Sequence, residues 1–210
     1  MIRRVFLSRF PALAIVRGSY GAEQARGGAS SWTPARHEQD DWLDANTAKH
    51  RVVVDTFTAD RFPDGLQFSG NLFETNLAAY DVAMKDMAVL LVVRHNTTPF
   101  GYNDAMWAKY GKQFTQRMGW VDPKTKEVPT ANVYAARFAA LAKNGLMLGV
   151  CQRTTRAYST NIAREFDKKP EEIYSELAAN LIVAGAHIVP AGVICVTRAQ
   201  ERGYSLVTIG

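Results

Sequence analysis

The segment GVCQRTTR, residues 149–156, sets a thiol between an apolar run and two arginines. Nearby cations and a helix N-terminus both lower a thiol's pKa from its ordinary value of about 8.5 and make the thiolate available as a nucleophile. In that reading Cys151 is the catalytic residue. Free cysteine is also among the most buried residue types, so Cys151 reads equally well as an inert continuation of the strand. Two other segments carry groups suited to the same site. Asp55 and Thr56 end the run RVVVDTF, and Arg94 to Thr98 follow the run MAVLLVV. If these segments converge, Arg94, His95, Arg153 and Arg156, together with Asp55, form the substrate-binding set, with hydroxyls from Thr97, Thr98, Thr154 and Thr155. Such a set suits an anionic or sulfur-bearing ligand. His95 reads either as an acid–base or anion-binding group or as a histidine hydrogen-bonded to its own loop.

Convergence requires a particular fold. Short apolar runs rich in β-branched residues lie at 51–57, 87–93, 146–152, 186–189 and 204–209, and helical patterns separate them. Strands that are apolar throughout and alternate with helices indicate a parallel sheet covered on both faces. The sequence therefore predicts a three-layer α/β domain with a five-stranded, mainly parallel sheet. In such sheets ligands bind outside the carboxyl ends of the strands, where all three segments fall. Helices are predicted over 66–81, with Pro63, Asp64 and Gly65 in a preceding loop, and from a cap at Asn103 to a stop at Gly111. Residues 115–129 read as a surface excursion. Further helices are predicted over 130–145, 156–167 and 170–183, and from Pro190 to Gly203. The aromatic set Phe100, Tyr102, Trp107, Tyr110 and Trp120 reads as packing or a subunit interface rather than a cofactor box.

Composition narrows the function classes. The net charge is +5, but Arg3, Arg4, Arg9, Arg17 and Arg26 against Glu23 give residues 1–30 a charge of +4, which leaves +1 for the rest. A nucleic-acid binder would carry its charge on the folded body, so none is expected as a partner. No stretch approaches the ~18 apolar residues of a membrane helix. His37, His50, His95 and His187 are scattered, and no Cys/His spacing matches a zinc site. Neither GxGxxG nor a Gly-Lys-Ser phosphate loop is present. No metal and no cofactor is expected. Cys195, inside GVICVTRAQERG, reads as a core position in a helix. A Cys151–Cys195 disulfide is the alternative in an oxidising compartment.

The opening MIRRVFLSRFPALAIV is similar to a twin-arginine export signal: Arg3-Arg4, a spacer, Phe6-Leu7, then a short apolar stretch broken by Arg17. The alternative is a basic N-terminal arm or an amphipathic helix. The expected organisation is a signal and linker at 1–30, a linker at 31–49 and one domain at 50–210. The expected location is periplasmic, with cytoplasmic as the alternative.

From about residue 50 onward the chain resembles the DsrE/DsrF-like family. The resemblance rests on the cysteine-ended strand LMLGVCQRTTR and on IVPAGVICVTRAQERGYSLVTIG, where Pro190 to Val193, Gln200, Gly203 and Tyr204 match a C-terminal element of that family. It implies a five-stranded parallel core, assembly as an oligomer such as a trimer or hexamer, and exchange with a sulfur-donor or sulfur-acceptor protein. It also implies that Cys151 carries sulfane sulfur as a persulfide; on the reading of the residues, Arg153, Arg156 and His95 would stabilise that anion. Two alternatives stand beside this sulfur-carrier or sulfurtransferase reading. One is a non-catalytic periplasmic subunit that binds a small anion or serves in assembly. The other is a redox protein using both cysteines.

Overall fold

The computed structural model describes residues 33–210; the export signal expected at 1–30 lies outside the described residues. A compact unit runs from Pro34 to Gly210. Its strands are β1 (His50–Thr56), β2 (Met87–Val93), β3 (Met147–Cys151), β4 (His187–Val189) and β5 (Ser205–Ile209). They form one sheet in the order β4-β3-β2-β1-β5, every pair parallel. The helices are α1 (Asp41–Asp44), α2 (Phe62–Tyr80), α3 (Asp104–Met118), α4 (Ala135–Lys143), α5 (Gln152–Phe166), α6 (Pro170–Ala179) and α7 (Gly192–Glu201).

The handedness of parallel crossovers explains which helix lies on which face. From β1 to β4 the chain moves steadily in one direction across the sheet, so right-handed connections place α2 to α6 on one face. The last connection returns from β4 to β5, beyond β1, and the same rule sends α7 to the opposite face. There it crosses the sheet and touches all five strands. Period-two alternation along β2 feeds both layers. Val89, Leu91 and Val93 join the larger core with Phe62, Phe100, Trp107 and Phe138, whereas Ala88, Leu90 and Val92 join a smaller one with Val189, Val196 and Tyr204.

Several boundaries differ from those the sequence predicts, for identifiable reasons. Pro63, Asp64 and Gly65 form the first turn of α2 rather than a loop, because proline fits the first helical positions, where no intrahelical N–H is needed. Gly111 does not stop α3. A Cβ there would lie 2.4 Å from the Pro129 carbonyl oxygen, so the glycine admits close approach of the 129 segment, and the helix ends at the left-handed Gly119. Residues 130–134 are not helical. They are tied down by buried Asn132, whose Nδ2 donates to the Phe100 and Tyr102 carbonyls and whose Oδ1 accepts from the Tyr134 N–H. Residues 38–48, within the expected linker, belong to the folded unit: α1 buries Leu43, and the segment after it buries Ala48, in the smaller core. The aromatic set is internal packing, with Phe100 stacked on Trp107 and edge-on to Trp120.

Candidate functional site

Strand register determines which of the candidate residues meet. Val93 of β2 pairs with Val150 of β3, so Arg94 and Cys151 are the next residues in one row and point to the same face. Asp55 pairs with Val92, two residues before Arg94, and shares that face. All three lie at the carboxyl edge of the sheet. The switch point lies between β3, whose chain continues to α5, and β4, whose chain continues to α7 on the other face. A sheet of this kind opens its ligand crevice there.

Cys151 is both the last residue of β3 and the N-cap of α5, which begins at Gln152 rather than near residue 156. The thiol therefore sits beside the amide end of a 15-residue helix, where the helix dipole favours negative charge. Its side chain makes no capping bond of its own. Instead Cys151 Sγ accepts a hydrogen bond from Thr154 Oγ1 at 3.3 Å, while Thr154 Oγ1 accepts from the His95 N–H at 3.3 Å. The second bond occupies a lone pair of the hydroxyl and leaves its proton to the sulfur. His95 adopts φ +54°, unusual for a residue with a side chain. That conformation brings its N–H to Thr154. Cys151 is 5% exposed, so the thiol lies just beneath the surface.

Arg94 does not present a free charge. Its Nε and an Nη donate to the two carboxylate oxygens of Asp55 at 2.7 and 2.8 Å, and its guanidinium lies over the Phe57 ring. Hydrogen bonding to Asp55 holds the Arg94 pKa above its ordinary range; Cys151, when ionised, acts in the same direction. The side chain reaches this position across the start of α7. A Cβ on Gly192 would lie 2.4 Å from the Arg94 Cβ, so only glycine fits beneath it. Asp55 and Arg94 thus form a neutralised pair bordering the cysteine, and Asp55 serves Arg94 rather than a ligand.

Unneutralised basic groups collect on the other side of Thr154. A cleft of about 470 Å³ is lined by His95, Asn96, Arg117, Arg153, Thr154 and Ala157. His95 and Arg153, both expected at the site, therefore meet there. Arg156 does not join them; its guanidinium stacks over the Tyr174 ring of α6 at 4.2 Å. Arg117 of α3 takes that place. The sequence gives no signal for this, because the residue falls in the segment read as a surface excursion. Thr97 and Thr155 are internal braces: Thr97 Oγ1 donates to main-chain carbonyls of Thr56 and Arg94, and Thr155 Oγ1 to that of Cys151. Thr98 is buried.

Cys195 of α7 is a different kind of thiol. Burial pushes its pKa up to about 12, with Asp40, Asp55 and Cys151 acting in the same direction, so it is neutral at physiological pH. Both cysteines are free, not joined in the alternative disulfide. A larger surface cavity of about 610 Å³ adjoins α3 around Trp120, but its lining holds no cysteine and no histidine. Among the described residues no group of three His, Cys, Asp or Glu side chains is placed to hold a metal ion. Compared with protein-family models and with curated proteins, the chain matches none.

Proposed function

We propose that this protein is a sulfur carrier or sulfurtransferase of DsrE/DsrF-like type, exported through its twin-arginine segment to the periplasm, with Cys151 as the group that takes up sulfane sulfur. The observation that supports the reading is the placement of Sγ at the amide end of α5, accepting the Thr154 hydroxyl proton. The amide end of a helix and a directed hydroxyl donor are both suited to stabilise negative charge that develops on sulfur during attack. The thiolate attacks the outer sulfur of a donor persulfide. A bond from Cys151 Sγ to that sulfur forms, the donor's S–S bond breaks, and its electron pair leaves with the donor thiolate. The resulting Cys151 persulfide passes its terminal sulfur to an acceptor thiol by the same exchange in reverse. Oligomeric assembly, as a trimer or hexamer, and a partner protein that supplies or receives the sulfur belong to this reading.

The test is incubation of the full chain with a low-molecular-weight persulfide, followed by intact mass under non-reducing conditions. Expected is the gain of one sulfur atom by the parent and none by Cys151→Ser, with equal thermal stability. A Cys151→Ser protein that still loads sulfur would refute the assignment. The low exposure of Cys151 favours a second reading, a non-catalytic subunit that binds a small anion. A parent protein that takes up no sulfur at all would leave that reading in its place.

A further inference from the structure

The cleft beside Thr154 carries an inference of its own. It draws His95 from the turn after β2, Arg117 from α3, and Arg153 and Thr154 from the first turn of α5. No carboxylate lines it. Among the described residues neither Arg117 nor Arg153 forms a salt bridge, although seven other basic–acidic pairs are made, Arg94–Asp55 among them. Glu165, which lines the adjoining groove together with Arg117, accepts from Gln113. Arg117 is held in place by its stacking over the Tyr158 ring at 5.0 Å. Two guanidinium groups at one opening, one of them held by its ring contact, with the first turn of α5 beside them, recognise a tetrahedral oxyanion by charge and by multiple N–H donors.

Thr154 belongs both to the cleft and to the thiol, since its Oγ1 lies 3.3 Å from Sγ. An oxyanion held by Arg117 and Arg153 is thus separated from the sulfur by the Thr154 side chain alone. We infer that the cleft docks the sulfonate end of a thiosulfate-type donor, with Arg117 and Arg153 as the specificity-determining residues and His95 and Asn96 as further polar contacts. The oxyanion site stands on the cleft alone, whereas the choice of thiosulfate rests on the sulfur-carrier reading. In the reaction the Cys151 thiolate attacks the outer, sulfane sulfur of thiosulfate. The new S–S bond forms as the bond to the sulfonate sulfur breaks, and that electron pair departs with sulfite. The leaving group carries two negative charges, and the two guanidinium groups stabilise it as it separates.

Titration calorimetry of the full chain with thiosulfate, sulfate and phosphate at low salt tests the site. In parallel, sulfite release and Cys151 loading are followed with thiosulfate as the donor. Expected is saturable binding of thiosulfate and sulfate that persists in Cys151→Ala and is weakened about tenfold or more by Arg117→Gln and by Arg153→Gln, as loss of a charged hydrogen bond implies. Lys124→Gln removes an equal charge at an exposed turn and leaves binding unchanged. Arg153 makes no contact that the fold needs, so its variant remains informative if Arg117→Gln loses stability. Absence of binding by all three anions, or equal weakening by Lys124→Gln, overturns the site. Tighter binding of phosphate than of thiosulfate overturns the substrate class. Binding with no sulfur uptake overturns thiosulfate as the donor and spares the oxyanion site; the sulfur-carrier reading falls as well if the persulfide donor also fails to load Cys151. Loading by thiosulfate with an unchanged half-saturation in both arginine variants does the reverse.

Discussion

Replacing Thr154 by valine removes the one hydroxyl that donates to Cys151 while keeping the β-branched shape at the start of α5. Thr154 Oγ1 lies 3.3 Å from Sγ, and its orientation is fixed because it also accepts the His95 N–H. A hydrogen bond to a charged group contributes about 1.5–3 kcal/mol, and sulfur is a weak acceptor, so the lower end applies. Since about 1.4 kcal/mol is a factor of ten, losing this donor slows attack by the Cys151 sulfur about tenfold in Thr154→Val. The assay is the rate of iodoacetamide labelling at one neutral pH, in a Cys195→Ala background so that every adduct reports Cys151. Expected is a tenfold slower reaction for Thr154→Val and the parental rate for Thr154→Ser, which keeps the hydroxyl. The freed His95 N–H is solvated in the variant, because His95 is exposed, so the thermal midpoint changes little. A folded Thr154→Val protein that labels as fast as the parent would refute the role given to the hydroxyl.

Three further outcomes follow from the packing. Asp55→Asn leaves the Arg94 guanidinium, whose side chain is 27% exposed, without its charge partner. Breaking a fully buried pair costs about 3–5 kcal/mol; with Arg94 partly hydrated the expected loss is about 2 kcal/mol, read from urea midpoints. Gly111→Ala drives a methyl into the Pro129 carbonyl and costs about 1–3 kcal/mol, visible as a lowered thermal midpoint with the reactivity of Cys151 retained. Alkaline stability reports Cys195, whose folded pKa of about 12 exceeds the ordinary thiol range. The unfolded chain loses that proton first, so the contribution is intact below about pH 9 and is lost as pH rises toward about 12, by up to about 1.4 kcal/mol per pH unit. The urea midpoint of Cys195→Ala therefore falls less steeply over this range than that of the parent. Tyr102 and Tyr158, whose burial also raises their pKa values, act alike in both proteins.

Much of this arrangement is legible along the chain where one signal dominates. The continuous apolar run 87–93 matches β2 at both ends because a central parallel strand is buried on both faces. Asn103 caps α3 as expected, accepting from the Met106 N–H. Cys151 ends its strand. What failed was the reading of glycine and proline as breaks: Gly65 and Gly111 sit inside helices because another segment comes too close for a side chain. The site was half legible for a related reason. Positions after strands can be read from strand ends, which gave Asp55, Arg94, His95, Cys151 and Arg153. Whether a charge is paired or free depends on tertiary neighbours. Arg94 is neutralised by Asp55, Arg156 turns to Tyr174, and Arg117 arrives from a helix that the sequence breaks too early.

The most direct measurement of the central claim is peptide-resolved mass spectrometry of the parent protein after exposure to a sulfane-sulfur donor and trapping of free and persulfidated thiols. The account predicts one added sulfur on the peptide containing Cys151, discharged by an acceptor thiol, and an unmodified Cys195 peptide, since that thiol is buried and neutral. Sulfur on Cys195 alone, or a Cys151 peptide that stays unmodified while the donor is in excess, would contradict it.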